Sequence, residues 1–500
     1  MSGQSFDTQL QTGHQPWRTI AHPLAAIEKL LGHGPAPAFM GYGAQLDTDV
    51  FTRTGEKKPL TASQNAKLAN TVQQLHPEYS RVFVTPEMLA RFVPKGTVDP
   101  DTTHALGALE KTLRMAQSSG SEVNLTFWHP PGGGYGSPAQ RKALMTGFAK
   151  LLASLRKQGI TCVHDVTIQN EPDSHDLSHD ERTWQKAHPG KAVPATVTHR
   201  ALNDSLALYG SLYRDLDTAL KATPDPKNPR DARGMRDAVK LVGGDLVFEK
   251  RANGTDAQDD WLRYMGAHLG DVLDGYSLHV YWVDGPNGRA QAEQRLAHAQ
   301  AVVKSLPHPK PLYVTEYGVR AVNGSKPGDL HGKPIAKTTQ AAFDHAWFNA
   351  LAPHYGVVGL SKWAAYDTDK HDFGPWGEVG APDTGFARTP TYAMSQLFTH
   401  AIGPGWQPDA LHHGQDQLMS SFKGPNGQSA VFALNGRSRR GAMTLTGLPP
   451  GKRYHVAVWN EGGKGGLKSR KPITVAKNGT LTVQVPASGV VALATKPIVA

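Results

Sequence analysis

The sequence predicts an α/β fold, a (β/α)8 TIM barrel followed by a small all-β sandwich, on three observations. Eight short runs rich in β-branched and aromatic residues recur along the first 400 residues, each followed by a longer amphipathic stretch. Strand then helix, repeated eight times, is the sequence form of a closed parallel barrel, with an open doubly wound sheet as the structural competitor. Beyond Gly403-Pro404-Gly405 the texture changes to short strands punctuated by Pro and Gly, the pattern of an antiparallel module. Finally, a chain of 500 residues accommodates a barrel of about 250 residues or more together with one small domain.

In chain order the expected barrel strands are 38–43, 81–85, 123–128, 165–170, 240–244, 275–282, 311–316 and 357–363. Of the intervening helices, 139–157 has the clearest signature, because Leu144, Phe148, Leu151, Leu152 and Leu155 fall on one face at three- and four-residue spacing. The longest connection, residues 173–237 between the fourth and fifth strands, carries a helical pattern of its own around 200–222 and is long enough to wall a pocket or roof a cleft. A last helix is expected at 393–402. Five strands follow, at 429–435, 442–445, 454–460, 480–485 and 489–494, separated by Pro449-Pro450-Gly451, Gly462-Gly463 and Lys477-Asn478-Gly479. Regular strand spacing with such turns reads as a sandwich of about 95 residues. The expected division is a barrel over residues 1–402 and an accessory sandwich over 403–500.

Apolar residues at 39% and charged residues at 19%, with ten Trp and fifteen Phe spread along the chain, exclude a mainly disordered protein. No run of about 18 apolar residues marks a membrane span, and the opening thirteen residues lack the charged and apolar regions of an export signal. A single cysteine, Cys162, cannot close an internal disulfide or supply a Cys-rich zinc site. That usage suits either compartment, and a secreted or periplasmic location with its signal already removed is the expectation. The net charge of +10 is concentrated: residues 401–500 hold 12 basic against 3 acidic side chains, and the first 400 hold 41 against 40. A localised basic surface with Arg437, Arg439, Arg440, Lys468, Arg470 and Lys471 suits an anionic partner such as an acidic polysaccharide, against the plainer reading of a soluble basic domain. No zinc-finger spacing, helix-turn-helix pattern or stacking signature accompanies the charge, so nucleic acid is not expected.

Side chains at the C-terminal ends of barrel strands face the site. Two ends carry glutamates: the fourth reads Thr167-Ile168-Gln169-Asn170-Glu171-Pro172, and the seventh Leu312-Tyr313-Val314-Thr315-Glu316-Tyr317-Gly318. A Glu directly after a buried strand, twice and three βα units apart, puts two carboxylates at one mouth. Paired carboxylates are what glycoside hydrolysis requires, because one donates a proton to the departing oxygen while the other attacks or activates water. Either motif alone is as readily a turn, and the conjunction carries the reading.

The Asn170-Glu171-Pro172 and Thr315-Glu316-Tyr317-Gly318 motifs, in this order and on these strands, resemble clan A of the retaining glycoside hydrolases. Families 30, 39 and 79 are similar in layout, with a β-rich module after the eighth helix. The resemblance extends to Arg81 on the second strand, where the clan places an arginine beside the nucleophile, and to His129 in Trp128-His129-Pro130 after the third. It continues with His279-Val280-Tyr281 on the sixth strand and Lys362-Trp363 at the end of the eighth. It implies Glu171 as acid/base, Glu316 as nucleophile, His279 and Tyr281 flanking the nucleophile, Trp363 as a platform for the sugar, and no cofactor.

A physical reading of the same residues stands beside the resemblance. Two carboxyl groups about 5 to 5.5 Å apart cannot comfortably both ionise, so one keeps a proton. Glu171 is expected to keep it, with Arg81 and the Tyr281 hydroxyl holding Glu316 as an anion, and Asn170 is expected to hydrogen-bond the sugar 2-OH. His279 and Tyr281, two apart on a strand, point the same way; Pro172 cannot continue a strand ladder and turns the chain off the rim. Trp363 offers a flat apolar face to a ligand. The competing structural readings are a salt bridge for Arg81, a plain loop residue for His129, a core histidine for His279 and barrel packing for Trp363. The glycine-rich loop 130–136 lacks the Lys and Ser/Thr of a phosphate loop and is expected to shape the mouth, reaching substrate through Tyr135. Two strings rich in Asp and His, 173–180 and 367–372, miss the spacing of a calcium loop and read as solvated loops, so no metal is expected. A retaining hydrolase acting on a carbohydrate, anionic if the basic surface serves the substrate, is the expected function. Its rivals are a transglycosylase using the same carboxylates and a carbohydrate-binding protein on an inactive barrel.

Overall fold

The computed structural model describes residues 38–52, 58–130, 134–174, 180–191, 193–247, 257–320, 337–369 and 375–498. The chain runs β1 (Gly41–Ala44), α1 (Ala62–Leu75), β2 (Tyr79–Val84), α2 (Ala105–Ser118), β3 (Glu122–Phe127), α3 (Pro138–Lys157) and β4 (Val163–Ile168). Two helices, α4 (Asp180–Ala187) and α5 (Ala195–Ala222), then precede β5 (Lys240–Leu246). Alternation resumes with α6 (Ala257–His268), β6 (Gly275–Val283), α7 (Pro286–Ser305), β7 (Leu312–Arg320), α8 (Thr339–Leu351), β8 (Val357–Lys362) and α9 (Pro390–Ala401). All eight strands pair in parallel, in the order β1-β8-β7-β6-β5-β4-β3-β2. A parallel bridge between Gln45 and Arg81 closes the ring, and the Leu46 N–H donates to the Arg81 carbonyl at 2.9 Å. The fold is the expected (β/α)8 barrel.

Local chemistry explains the elements. All six residues of β2 are buried, as parallel strands covered on both faces require. Helix α3 starts at Ser137, whose hydroxyl accepts from the Gln140 N–H while Gln140 Oε1 accepts from the Ser137 N–H at 2.8 Å, a capping box. Its predicted face, Leu144, Phe148, Leu151, Leu152 and Leu155, is wholly buried. Near the N-terminal ends of the strands, Met40, Tyr79, Val242, Tyr313 and Val358 plug the barrel interior as one apolar cluster. Above this plug the interior turns polar, and the polar layer holds the site.

The second unit comprises β9 (Gln407–His413), β10 (Gln417–Lys423), β11 (Ser429–Asn435), β12 (Gly441–Leu445), β13 (Arg453–Trp459), β14 (Leu467–Thr474), β15 (Leu481–Val485) and β16 (Gly489–Ala494). Six of these form one sheet in the order β14-β13-β16-β11-β10-β9, and β12 pairs with β15 over it. The five expected strands are present with three more. β9 and β14 escape the sequence pattern because His412, His413 and the Lys468 to Lys471 run break the apolar alternation, and both lie at the sheet edges, while in β10 the Ser420-Ser421 pair interrupts the apolar run. β11 and β16 read as near-continuous apolar runs because both faces are covered. Val431, Ala433, Val491 and Leu493 point into the sandwich core, whereas Phe432, Leu434, Val490 and Ala492 join the barrel's core. Phe432 stacks on Phe398 of α9 with centroids 4.3 Å apart. Among the described residues no helix is long and apolar enough to cross a membrane.

Candidate active site

β4 ends at Ile168, two residues before the expected boundary, because the backbone turns left-handed at Gln169 (φ 70°) and again at Glu171 (φ 45°). Such conformations cost side-chain-bearing residues about 1–3 kcal/mol each and persist only where surroundings enforce them. Here Tyr135 donates its hydroxyl to Gln169 Oε1 at 2.7 Å, Gln169 Nε2 donates to the Asn170 carbonyl at 3.0 Å, and the Ser174 hydroxyl donates to the Glu171 carbonyl at 2.9 Å. The turn throws Asn170 and Glu171 over the mouth. Tyr135, 5% exposed, thus braces the turn through its hydroxyl, with its ring near Phe127.

Arg81 is fully buried on β2 and organises the site. Its Nε donates to Thr126 Oγ1 at 3.0 Å, Nη1 to Glu316 Oε2 at 2.6 Å, and Nη2 to Asn170 Oδ1 at 2.5 Å and to Asp245 Oδ2. Tyr281 donates its hydroxyl to Glu316 Oε1, so both oxygens of Glu316 are held. His279 reaches the other carboxylate, with Nδ1 2.9 Å from Glu171 Oε1 and 3.8 Å from Glu316 Oε2. The structure therefore brings Arg81, Asn170, Glu171, His279, Tyr281 and Glu316 together. Their side chains differ in access to solvent: Glu171 is 27% exposed, Glu316 only 9%.

Asp245, at the end of β5, belongs to the same cluster and was not foreseen, because the expected fifth strand stops at Gly244. Gly244 has φ 133°, and a Cβ there would sit 2.2 Å from the Ser277 carbonyl oxygen; only glycine lets β5 approach β6 so closely. Asp245 Oδ1 accepts from Ser277 Oγ at 2.8 Å and Thr315 Oγ1 at 2.5 Å, while Oδ2 faces Arg81 and lies 3.6 Å from His279 Nε2. The last distance is too long for a hydrogen bond and makes an ion pair. Burial opposes the charge on Asp245, but Arg81 and His279 outweigh it and hold the carboxylate well below its ordinary range. Burial likewise opposes a charge on His279, yet Glu316 and Asp245, with Glu171, lift the imidazole to about 10. The Tyr281 phenol is pushed well up by burial and by Glu316, which keeps it a donor. The frame thus contains two cations, Arg81 and His279, and one fixed anion, Asp245, facing two glutamates. One protonated glutamate makes the cluster neutral.

Aromatic rings line the mouth beside these groups. Trp363, Phe83 and Trp376 pack with the partly buried Trp128 and Tyr281; Phe83 meets Trp128 edge-on at 4.3 Å and Trp363 at 5.9 Å. Trp363 itself is 7% exposed. His129 is exposed on the rim, its Nδ1 3.0 Å from the Pro130 carbonyl. Residues 131–133 of that loop lie outside the described residues.

One oxygen of Glu171, one oxygen of Glu316 and a ring nitrogen of His279 lie within 4.8 Å of one another, close enough to hold a metal ion. The donor set fits a cation poorly: a protonated imidazole has no lone pair to offer, and Arg81 already neutralises Glu316. Of the acidic strings, Asp173 accepts from the Val247 N–H at 3.0 Å and burial raises its carboxyl well up. Asp367 accepts from the Gly377 N–H at 2.6 Å and faces Lys337 Nζ at 3.3 Å. Residues 175–179 and 370–374 lie outside the described residues.

No family model matches the chain, and no curated protein is significantly similar to it. Solved structures do share its fold. A glycoside hydrolase family 30 endoxylanase from Clostridium papyrosolvens superposes with a TM-score of 0.55 at 14% identity, over 93% of this chain and 98% of that one. A family 39 enzyme from Xanthomonas axonopodis pv. citri gives 0.53 at 15%, over 93% and 95%. A conserved exported protein from Bacteroides fragilis gives 0.60 at 11%, over 92% and 97%. The chain shares the fold of these structures over the barrel and the sandwich together.

Proposed function

We propose that the protein is a glycoside hydrolase that acts with retention, Glu171 serving as acid/base and Glu316 as nucleophile. The observation that carries this reading is the approach of the two carboxylates to within 4.8 Å, which suits the separation of about 5–5.5 Å used for direct attack and not the 6.5–9.5 Å that leaves room for a water. In the first step Glu316 attacks the anomeric carbon while Glu171 gives its proton to the leaving oxygen, so the glycosidic bond breaks as a glycosyl ester forms. In the second, Glu171 takes a proton from water, whose oxygen displaces Glu316. Glu316 loses its negative charge as Glu171 gains one, so the net charge of the two glutamates with Arg81, His279 and Asp245 is the same before and after the first step.

Each neighbour has a part in this. Arg81 and Tyr281 aim Glu316. A His279 Nδ1–H donated to Glu171 Oε1 leaves the catalytic proton on Oε2. Asn170 spends its oxygen on Arg81, so its amide N–H groups face the sugar 2-OH, a bond that strengthens in the transition state. Trp128, Trp363 and Trp376 supply apolar wall, with His129 at the rim. The barrel, residues 1–402, is the catalytic unit and residues 403–500 the accessory one. The endoxylanase among the structural neighbours supports carbohydrate cleavage, and the neighbour named an exported protein supports a secreted setting. The test is hydrolysis of a panel of aryl glycosides and polysaccharides. Glu316→Gln should abolish turnover while sugar binding survives, and Glu171→Ala should slow substrates with poor leaving groups far more than activated ones. Unchanged hydrolysis by Glu316→Gln refutes the assignment.

A further inference from the structure

We infer that the mouth-side end of the sandwich is a second binding surface, built to hold the flanking part of an anionic polysaccharide. Choosing a glycan over other polyanions rests on the glycosidase reading; the surface itself does not.

The charge is local. Of the net +10, +9 lies in residues 401–500, and the structure gathers much of it at one end of the six-stranded sheet. The loop 460–466 between β13 and β14 is tied down by Asn460, whose Nδ2 donates to the Ser488 carbonyl at 2.8 Å and whose Oδ1 accepts from the Gly465 N–H at 2.8 Å. The neighbouring turn that carries Arg437, Arg439 and Arg440 is fixed by Asn435, which donates to the Arg439 carbonyl at 2.9 Å, and by the Ser488 N–H on the Arg437 carbonyl. Both segments are thus pinned to Ser488 and share one face. Three cations converge there on a single carboxylate: Arg470 bonds Glu461, Lys468 lies 3.7 Å from it and Arg440 4.0 Å. Arg440, Lys468 and Arg470 remain about half exposed, at 58%, 60% and 47%, while Arg437, Arg439 and Lys464 are exposed beside them. Six cations around one anion leave a strong local excess, which concentrates polyanions.

The position ties the surface to the mouth. Helices of a βα barrel run antiparallel to its strands, so the first residues of α9 sit at the mouth end. Trp459 Nε1 donates to the Pro390 carbonyl at 3.1 Å. Gly465, at φ 68°, comes so near that an added Cβ would stand 2.4 Å from that of Pro390. Thr389 in turn bonds the Glu378 carbonyl at 2.7 Å, and the Glu378 N–H donates to Ala364, next to Trp363. A polymer leaving the aromatic wall therefore meets the basic face without rounding the molecule.

The experiment measures binding of fluorescent polygalacturonate, dextran sulfate, neutral dextran and single-stranded DNA to the full chain carrying Glu316→Gln, so that nothing is cleaved. Both anionic glycans should bind and weaken steeply as salt rises, and the preferred one identifies carboxylate or sulfate as the group recognised. Replacing Arg437, Arg439 and Arg440 with Ser should weaken that binding by about tenfold at low salt. Glu461→Gln, which removes the lone anion, should tighten it, an effect opposite to that of a merely loosened loop. Binding unchanged by the triple substitution, no preference over neutral dextran, or equal affinity for DNA would overturn the inference. Because turnover is not read, glycan binding without any hydrolysis by the wild type would sink the glycosidase reading and spare the surface. Hydrolysis without this binding would do the reverse.

Discussion

Asp245→Asn probes the charge frame on which the chemistry depends. Asp245 is fully buried, bonds Arg81 and lies 3.6 Å from His279 Nε2. A unit ion pair at that distance is worth about 4–5 kcal/mol at an effective dielectric of about 20, or about three powers of ten in proton affinity. Removing the negative charge therefore lowers the imidazole from about 10 toward neutrality. The sign follows: an anion favours the imidazolium, so its loss favours the neutral ring, and His279 begins to titrate in the physiological range. Arg81 loses a buried partner in the same change, and breaking a buried ion pair costs about 3–5 kcal/mol of stability. The assay is imidazole nitrogen chemical shift against pH on protein labelled at histidine, with His279 assigned by its disappearance in His279→Gln. In the wild type His279 should stay protonated beyond about pH 9; in Asp245→Asn it should titrate near neutrality, with kcat/KM reduced at least about tenfold. An imidazole still protonated at about pH 9 in the variant, with an unmoved thermal midpoint, would refute the reasoning.

Tyr281→Phe removes the hydroxyl on Glu316 Oε1 and should lower kcat by about 10- to 100-fold, a charged hydrogen bond being worth about 1.5–3 kcal/mol, with little change in melting; an unchanged kcat would separate the phenol from the chemistry. Lys362 Nζ bonds the carbonyls of Trp363 at 2.8 Å and Trp376 at 2.7 Å, so Lys362→Met should raise KM more than it lowers kcat, and the reverse pattern in steady-state kinetics would count against a positioning role. Phe432→Ala empties the space stacked on Phe398 and should cost about 3–5 kcal/mol in denaturant unfolding, because the sheet and the barrel share that core.

Much of this arrangement was legible because barrel physics ties sequence order to space. Each glutamate comes after a run of apolar strand residues, so each could be placed at the same mouth, although β7 continues past Glu316 to Arg320 where the expected strand stopped at 316; the two-residue spacing of His279 and Tyr281 put both on one face of β6. Asp245 was hidden for a specific reason: in Leu241-Val242-Gly243-Gly244-Asp245 the glycine pair reads as a turn, whereas the strand continues and Gly244 serves its close approach to Ser277. Its donors, Ser277 and Thr315, are small residues that announce nothing in a sequence. Tyr135 sits in a loop that looks exposed, and only the left-handed Gln169 reveals what its hydroxyl is for. Trp376 follows a polar stretch with no strand pattern, so its place in the aromatic wall depends on a long-range contact. β14 is masked by its own function as an edge strand, since exposed Lys and Arg protect such edges from pairing while erasing the alternation that would have marked it.

The most direct measurement is the anomeric configuration of the first product, followed by proton NMR from the earliest turnover of whichever glycoside in the panel is hydrolysed. Double displacement through Glu316 predicts that the first sugar released keeps the configuration of the substrate and only later mutarotates. Release with the opposite configuration would mean that water attacks directly, and that the close approach of Glu171 and Glu316 does not serve a covalent intermediate.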